Sequence, residues 1–406
     1  MSDFIRQIGS LALFRGVIKR EPLKSLLVFL KELDSGSSMD EMISSYSEFV
    51  SNLYKVREDG DLSAAIWDVL VNDMNPFLKH RIDEILSPED TAPLAHLVVV
   101  TAEKELDVLS TIGRFNSYIF KEQMMYDGYL PDFKTSDIDI RKRYMKMIES
   151  LDRNGYGIFA DNIMFKIKDG EIIPVKHPDP IRTEELFCYE RQREKVISNT
   201  KAFVSNRPFA DVLLYGDAGT GKSSTVKAVA RSMAGEGVRL VELPKSELYH
   251  LPDIIDHLSG IPMKFILFMD DISFCEDDDR ISSVKSVLEG AASGNRRNVV
   301  IYATSNRRHM IKESVSSRGD EMHMSDTIAE QMSLSERFGL RVLFDKPNKQ
   351  DYLTIVENIM KLRGLQYDPE TTPSEAEKFA IRAGGRSARV ARQFVDSEGY
   401  KNETVC

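Results

Sequence analysis

Cysteine is scarce in this sequence: Cys188, Cys275 and Cys406 are the only three in 406 residues, and they lie far apart. Neither a disulfide framework nor a thiolate metal site can be built from an odd count at that spacing, and the usage fits a reducing compartment. Long apolar runs are missing too. Runs such as residues 97–100 and 265–269 fall far short of the roughly 20 residues that cross a bilayer. Arg6, Arg15, Lys19 and Arg20 interrupt the opening segment before the apolar core of a signal peptide develops. Positive charge is not in excess either. A net charge of −10 argues against a surface that wraps nucleic acid throughout, while leaving room for a local basic groove. The rest is ordinary globular composition, 42% hydrophobic and 29% charged, which excludes extensive disorder. A soluble cytoplasmic protein of two or three domains is the expectation.

The texture changes along the chain. Residues 23–33, 39–54 and 62–77 space apolar side chains three and four apart, so residues 1–153 read as a mainly helical N-terminal domain. Asp61 is placed to cap the helix that starts SAAIWDVL. Residues 154–183 are rich in Gly, Pro and short β-like runs, with Asp169-Gly170 as a hairpin turn, and read as a β-hairpin and linker. From Asp211 onward, short continuous apolar runs at 212–215, 239–243, 265–269, 299–303 and 342–344 alternate with helical segments. Such runs predict a parallel sheet of five strands covered on both faces. Residues 184–346 therefore form an α/β core. After Pro347 the helical pattern returns at 349–363, 373–382 and 387–395, a separate small helical domain spanning 347–406.

One segment carries most of the chemistry. Gly216, Asp217, Ala218, Gly219, Thr220, Gly221, Lys222 and Ser223 fit the pattern G-x-x-x-x-G-K-[ST], with Ser224 directly after. Glycines let the backbone fold around an anion so that several N–H groups point at phosphate oxygens. Lys222 brings a mobile cation to the β and γ phosphates, and the Ser223 hydroxyl ligates magnesium. The pattern follows a strand (VLLYG) and opens a helix (KSSTVKAVARSM), whose dipole adds positive potential. A second segment, the strand FILFM, ends in Asp270 and Asp271. Asp270 is placed to hold magnesium through its water shell, and Asp271 to orient or deprotonate the attacking water. The competing explanation is a solvated acidic loop, which the acidic residues 276–279 favour.

Three further features follow in order. Residues 299–306, VVIYATSN, form a strand whose final Asn306 would sit beside the γ-phosphate, although Ser-Asn also makes ordinary turns. Arg337, in SLSERFG, could reach a neighbouring subunit's nucleotide and stabilise charge in phosphoryl transfer; pairing with Glu336 or a surface acid is the alternative. Arg386 and Arg389, in GGRSAR, open a helix of the last domain, and either could fold back on the phosphates.

Taken in order, these pieces resemble the AAA+ superfamily from about Glu184 to the C-terminus. Its phosphate loop, magnesium strand, polar sensor, arginine finger and second sensor look like residues 216–223, Asp270 with Asp271, Asn306, Arg337 and Arg386. Phrases such as YERQREKVISNT, LLYGDAGTGKSS, YATSNRRH and SLSERFGL are similar to a bacterial AAA+ family catalogued as a domain of unknown function. The resemblance implies a three-layer P-loop NTPase core, a helical lid, ATP and Mg2+, and a homo-oligomeric ring or spiral with each arginine finger acting in trans. It carries over no substrate. Many AAA+ members end the magnesium strand in Asp-Glu. Here Asp271 is one methylene shorter, which leaves room for slow turnover. The resemblance also points to residues 177–181, or Cys188 with Tyr189, as wrapping the adenine, a role a Pro-rich linker beside a helix start would mimic.

Two readings of function follow: an ATP hydrolase that remodels an unknown macromolecule, or a nucleotide-loaded switch or scaffold with little hydrolysis. A small-molecule kinase is disfavoured, since no compact acceptor-binding lid follows the core. The clusters Arg296-Arg297 and Arg307-Arg308-His309 leave nucleic acid open as a partner. They are short and lack interleaved aromatics, as solvated or intersubunit residues do.

Overall fold

The computed structural model describes residues 2–272, 284, 287, 288, 298–306 and 335–403. Two compact units, Met1–Asp161 and Asn162–Cys406, divide the chain.

The first unit is helical: α1 (Ser2–Gly9), α2 (Leu23–Ser35), α3 (Met39–Val56), α4 (Leu62–Val71) and α5 (Pro76–Leu86) come first. After them run α6 (His96–Gly113), α7 (Ser117–Met124), α8 (Ile140–Glu149), α9 (Leu151–Asn154) and α10 (Ile158–Asp161). Local chemistry sets the helix starts. Ser38 and Glu41 form a reciprocal capping box on α3, and the Asp61 carboxylate accepts from Ala64 N–H at 3.0 Å as the cap of α4. Each cap contributes about 1 kcal/mol. The core is aromatic: Phe29 meets Tyr46 and Phe120 edge-on, with centroids 5.3 and 5.2 Å apart. Glu105 is buried in this core, where it accepts from the backbone N–H groups of Ala12, Leu13 and Phe14 at 2.8, 3.0 and 3.0 Å. Three donors on one carboxylate offset the desolvation of its charge.

The second unit is built on a seven-stranded sheet in the order β2-β1-β4-β5-β6-β3-β7. The strands are β1 (Met164–Lys168), β2 (Glu171–Pro174), β3 (Val212–Gly216), β4 (Val238–Glu242), β5 (Lys264–Met269), β6 (Val299–Ser305) and β7 (Leu340–Phe344). Five of them are the parallel set that the apolar runs predict. The count of five needs correction, because the hairpin β1–β2 does not stand apart: β1 pairs in parallel with β4, from Met164↔Leu240 to Lys166↔Glu242. The turn between β1 and β2 holds Asp169 and Gly170 at φ 54 and 77, the left-handed pair that suits a tight hairpin. The strands β5 and β6 lie mid-sheet and are buried almost throughout, as unbroken Val, Ile, Leu and Phe runs require.

Helices α11 (Glu190–Val204), α12 (Lys222–Ser232) and α13 (Leu251–Ser259) belong to the sheet, and α14 (Lys349–Leu362), α15 (Thr372–Arg382) and α16 (Ala388–Glu403) form the lid. Lid helices share a core of Tyr352, Ile355, Ile359, Ala380, Ala391 and Phe394. Because β3, β5 and β6 run parallel and adjacent, their carboxyl ends open on one edge of the sheet, where α/β sheets bind ligands.

Candidate functional site

The loop after β3 is shaped by glycine where nothing larger fits. Gly216 has φ 131, and a Cβ there would lie 2.2 Å from Phe344 O. The next amide, Asp217 N–H, donates to that same carbonyl at 3.1 Å. Gly219 has φ 75, and its Cβ would come within 3.0 Å of Ser387 Oγ. The helix α12 starts at Lys222 straight after the loop, so its unbonded N–H groups and positive end face whatever the loop holds.

The Lys222 side chain is buried and curls back on this loop. Its Nζ donates to Gly216 O at 3.1 Å, Asp217 O at 2.7 Å and Asn306 Oδ1 at 2.9 Å. Burial pulls its pKa down to about 8, against the opposing pull of the carboxylates of Asp217, Asp271 and Asp270. The acidic pair ends β5 as expected. Asp270 Oδ1 accepts from the Ser223 and Thr304 hydroxyls, each at 2.6 Å. Asp271 takes a left-handed φ of 51, donates its N–H to Thr304 Oγ1 at 2.8 Å, and accepts from Asn306 Nδ2 at 2.6 Å. Lys222, Asn306 and Asp271 thus form one chain of hydrogen bonds.

A cavity of about 440 Å3 opens over these groups, lined by residues 219–224, Asp270, Asp271 and Asn306 and by Arg389 of the lid. A smaller adjoining cavity shares Leu186, Thr220, Gly221, Ala388 and Arg392 with it and adds Phe187, Tyr189, Ile355 and Ile359. One end of the site is therefore polar and charged, the other mostly apolar. The hard oxygen donors Ser223 Oγ and Asp270, already touching, suit a divalent cation that completes its shell with water and phosphate. No group of three or more His, Cys, Asp and Glu side chains that could hold a metal ion occurs among the described residues.

Not every expected residue arrives at the cavity. Arg386 does not line it; its Nε and Nη2 donate to both oxygens of Glu377 at 2.8 and 2.6 Å, and this pairing holds the Glu377 carboxyl below its ordinary range. Its helical neighbour Arg389 lies at the loop instead, donating its backbone N–H to Gly219 O at 3.1 Å. Arg337 lies elsewhere. It precedes β7, whose other end pairs Phe344 with Gly216. A five-residue strand rising ~3.3 Å per residue separates it from the phosphate loop. Residues 177–181 line neither cavity, whereas Tyr189 lines the smaller one and donates its hydroxyl to Asp345 O at 2.5 Å. Residues 276–279, 296–297 and 307–309 fall outside the described residues.

Other residues escaped the sequence reading: Leu186, Arg392, Gln393 and Asp396, which line the cavity, and Thr304, buried behind the acidic pair. For Thr304 the only signal is strand register, since Met269↔Ala303 pairing sets Asp270 beside it. Arg392, Gln393 and Asp396 recur at helical spacing from Arg389, a signal visible once α16 is known to face the loop.

Among the described residues no helix is long and apolar enough to cross a membrane. Solved structures similar to the chain include RuvB from Thermotoga maritima, at 15% identity and a TM-score of 0.37 over 53% of this chain and 63% of that one. AMPPCP-bound DnaA from Aquifex aeolicus is similar at 15% identity and a TM-score of 0.38, over 54% of this chain and 64% of that one. A DnaI structure is similar at 17% identity and a TM-score of 0.32, over 46% and 96%. The chain thus spans less than two thirds of the RuvB and DnaA chains. No curated protein matches it. The model of a protein family of unknown function, DUF815, matches residues 160–401. On that match, which takes in more than half of its residues, the chain belongs to the DUF815 family.

Proposed function

We propose that the chain binds ATP with Mg2+ in the cavity over the phosphate loop and hydrolyses it, using the cycle to remodel a macromolecular partner. One observation carries this reading: residues 219–224, with Lys222 and Ser223 among them, Asp270 and Arg389 all line a single cavity whose neighbour is mostly apolar. Phosphates in the charged half would draw Lys222 off the loop carbonyls, which it satisfies only in their absence. The apolar walls Leu186, Ile355 and Ile359 would flank a purine, which the adjoining cavity of about 30 Å3 must open to admit. A divalent cation on Ser223 and Asp270 would supply charge neutralisation at the β and γ phosphates. Asn306 and Asp271 stand next to Lys222, in reach of a water attacking the γ-phosphorus, Asp271 as the group that orients it or takes its proton. Arg389 adds a cation from the lid.

The position of Arg337 at the far end of β7 supports a role in trans, on the nucleotide of a second copy of the chain in a ring or spiral. Magnesium-dependent phosphate release should fall about 100-fold or more in Lys222→Ala, and about 1000-fold in Arg337→Ala once the wild type assembles. Tight ATP binding with no phosphate release in any assembly state would sink the hydrolase reading.

A nucleotide-loaded switch is the second reading. It is favoured by the hold of Asn306 on the short Asp271 carboxylate, which takes up one of the two oxygens a water would use. Under it, Lys222→Ala abolishes partner capture and Asp271→Asn leaves it intact; equal loss in both variants in a pull-down speaks against it. Cytoplasmic residence fits either reading, and nucleic acid stays a candidate partner, testable by retention on DNA or RNA between low and moderate salt.

A further inference from the structure

Thr304 is buried at the end of β6, between the two acidic positions that follow β5. Its hydroxyl donates to Asp270 Oδ1 at 2.6 Å and accepts from Asp271 N–H at 2.8 Å. Its carbonyl accepts from Ile272 N–H at 2.7 Å. A single residue of the neighbouring strand thus grips three consecutive residues of the turn that leaves β5. Two constraints follow from the hydroxyl. First, the Ser223 and Thr304 hydroxyls both donate to one oxygen of Asp270, and two donors on one oxygen leave the carboxylate little freedom to rotate. Second, Asp271 sits in the left-handed region at φ 51, a conformation unfavourable for a residue with a Cβ that persists where neighbours impose it. The bond from its N–H to Thr304 is such a neighbour, and Asn306 takes the carboxylate from the other side.

We propose that Thr304 is a positioning residue of the phosphoryl-transfer site: its hydroxyl sets the rotation of the Asp270 carboxylate toward Ser223 and the backbone turn that aims Asp271 at the reacting end of the nucleotide. This rests on the ATP reading above. Thr304 lies behind both carboxylates and acts through them, so it is not itself a catalytic group. Serine keeps the hydroxyl and loses the methyl. Valine keeps the shape and strand preference and loses the hydroxyl. Alanine lacks both and differs from serine by the hydroxyl alone.

The test uses the full chain and these three variants, with melting temperature, ATP affinity with and without Mg2+, and MgATP turnover measured for each. Thr304→Val and Thr304→Ala should turn over MgATP about 30-fold or more slowly, since small misplacements of reacting groups carry costs of that order. Their metal-free ATP affinity should stay within about threefold of wild type, because Lys222 and the loop amides are untouched, while the gain in affinity on adding Mg2+ shrinks about tenfold, a charge-assisted hydrogen bond's worth. Thr304→Ser should restore both. Turnover and the Mg2+ gain unchanged in Thr304→Val and Thr304→Ala overturn the proposal. So does loss of folding or of metal-free ATP binding in both hydroxyl-free variants while Thr304→Ser is normal, for then the hydroxyl is structural. A wild-type chain that shows the Mg2+ gain without turnover still allows the binding comparison. A wild-type chain that binds no ATP removes the nucleotide reading and this inference with it.

Discussion

The two units bury polar groups in opposite ways. In the helical unit, Glu105 is closed off by three backbone donors from residues 12–14, and Asn75 caps α5 while its amide donates to the buried Tyr144 hydroxyl at 3.0 Å. Glu105 and Asn75 each end on fixed partners within the fold. In the sheet unit, Lys222, Asn306 and Asp271 bond to one another and Asp270 to the Ser223 and Thr304 hydroxyls, all around a cavity. Strain follows the same division. Among the described residues, Met125 alone in the first unit has a positive φ without being glycine, whereas the second has five, Asp169 in the hairpin turn, Asn206 after α11, and Cys188, Tyr189 and Asp271 at or beside the site. Closed polar networks stabilise; a network whose members can exchange partners for a ligand is the mark of a site.

Glu105→Ala should break the closed network most severely. Three N–H groups, that of Phe14 fully buried, lose their acceptor, and chemical denaturation should show a loss of about 3 kcal/mol or more, with the ATP affinity of the folded protein unchanged. A loss under about 1 kcal/mol would mean that water or relaxation replaces the carboxylate easily, and the contrast between the units would weaken. The open network is sharpened by a pair of arginines. Arg389→Ala should weaken ATP binding about 30-fold, the worth of a charged hydrogen bond to phosphate. Arg386→Ala, which frees Glu377 instead, should change it less than about threefold. Equal effects in a titration calorimeter would show that Arg386 leaves Glu377 when nucleotide enters.

The smallest effect is a titration. Burial lowers the Lys222 pKa to about 8, and phosphate binding requires the protonated form. Affinity is then full below pH 8 and falls as pH rises through it, by about tenfold between pH 7 and 9 if nucleotide binds only the charged lysine. For folding the sign is reversed. The unfolded lysine holds its proton up to about its ordinary 10.5, so the penalty for burying this charge is present below pH 8, and this group's share of stability rises between the two values. A flat affinity profile over pH 7–9 would show that Lys222 stays charged throughout.

Much of the site was legible because it lies in contiguous sequence. The loop geometry around Gly216 and Gly219, the following Lys222 and Ser223, and the strand-ending Asp270 each need only their own neighbours to declare their chemistry. Asn306 was readable as the polar end of an apolar strand. Arg386 against Arg389 was not, since both lie in GGRSAR and the choice depends on Glu377, nine residues earlier in another helix. The hairpin was legible as a hairpin, but its membership of the sheet rests on pairing with β4, more than seventy residues further along.

The sequence alone determined which residue types could cradle a phosphate, where strands and helices alternate, and that the charged chemistry sits in the C-terminal part, because backbone freedom, hydrophobic period and local capping act over a few residues. Tertiary structure alone decided that Thr304 backs both acidic residues, that Arg389 and not Arg386 meets the loop, that Leu186, Ile355 and Ile359 wall one cavity, and that Arg337 sits at the far end of its strand. Those facts depend on strand register and on which helix face packs inward, and a one-residue slip in either turns the same side chains to another side.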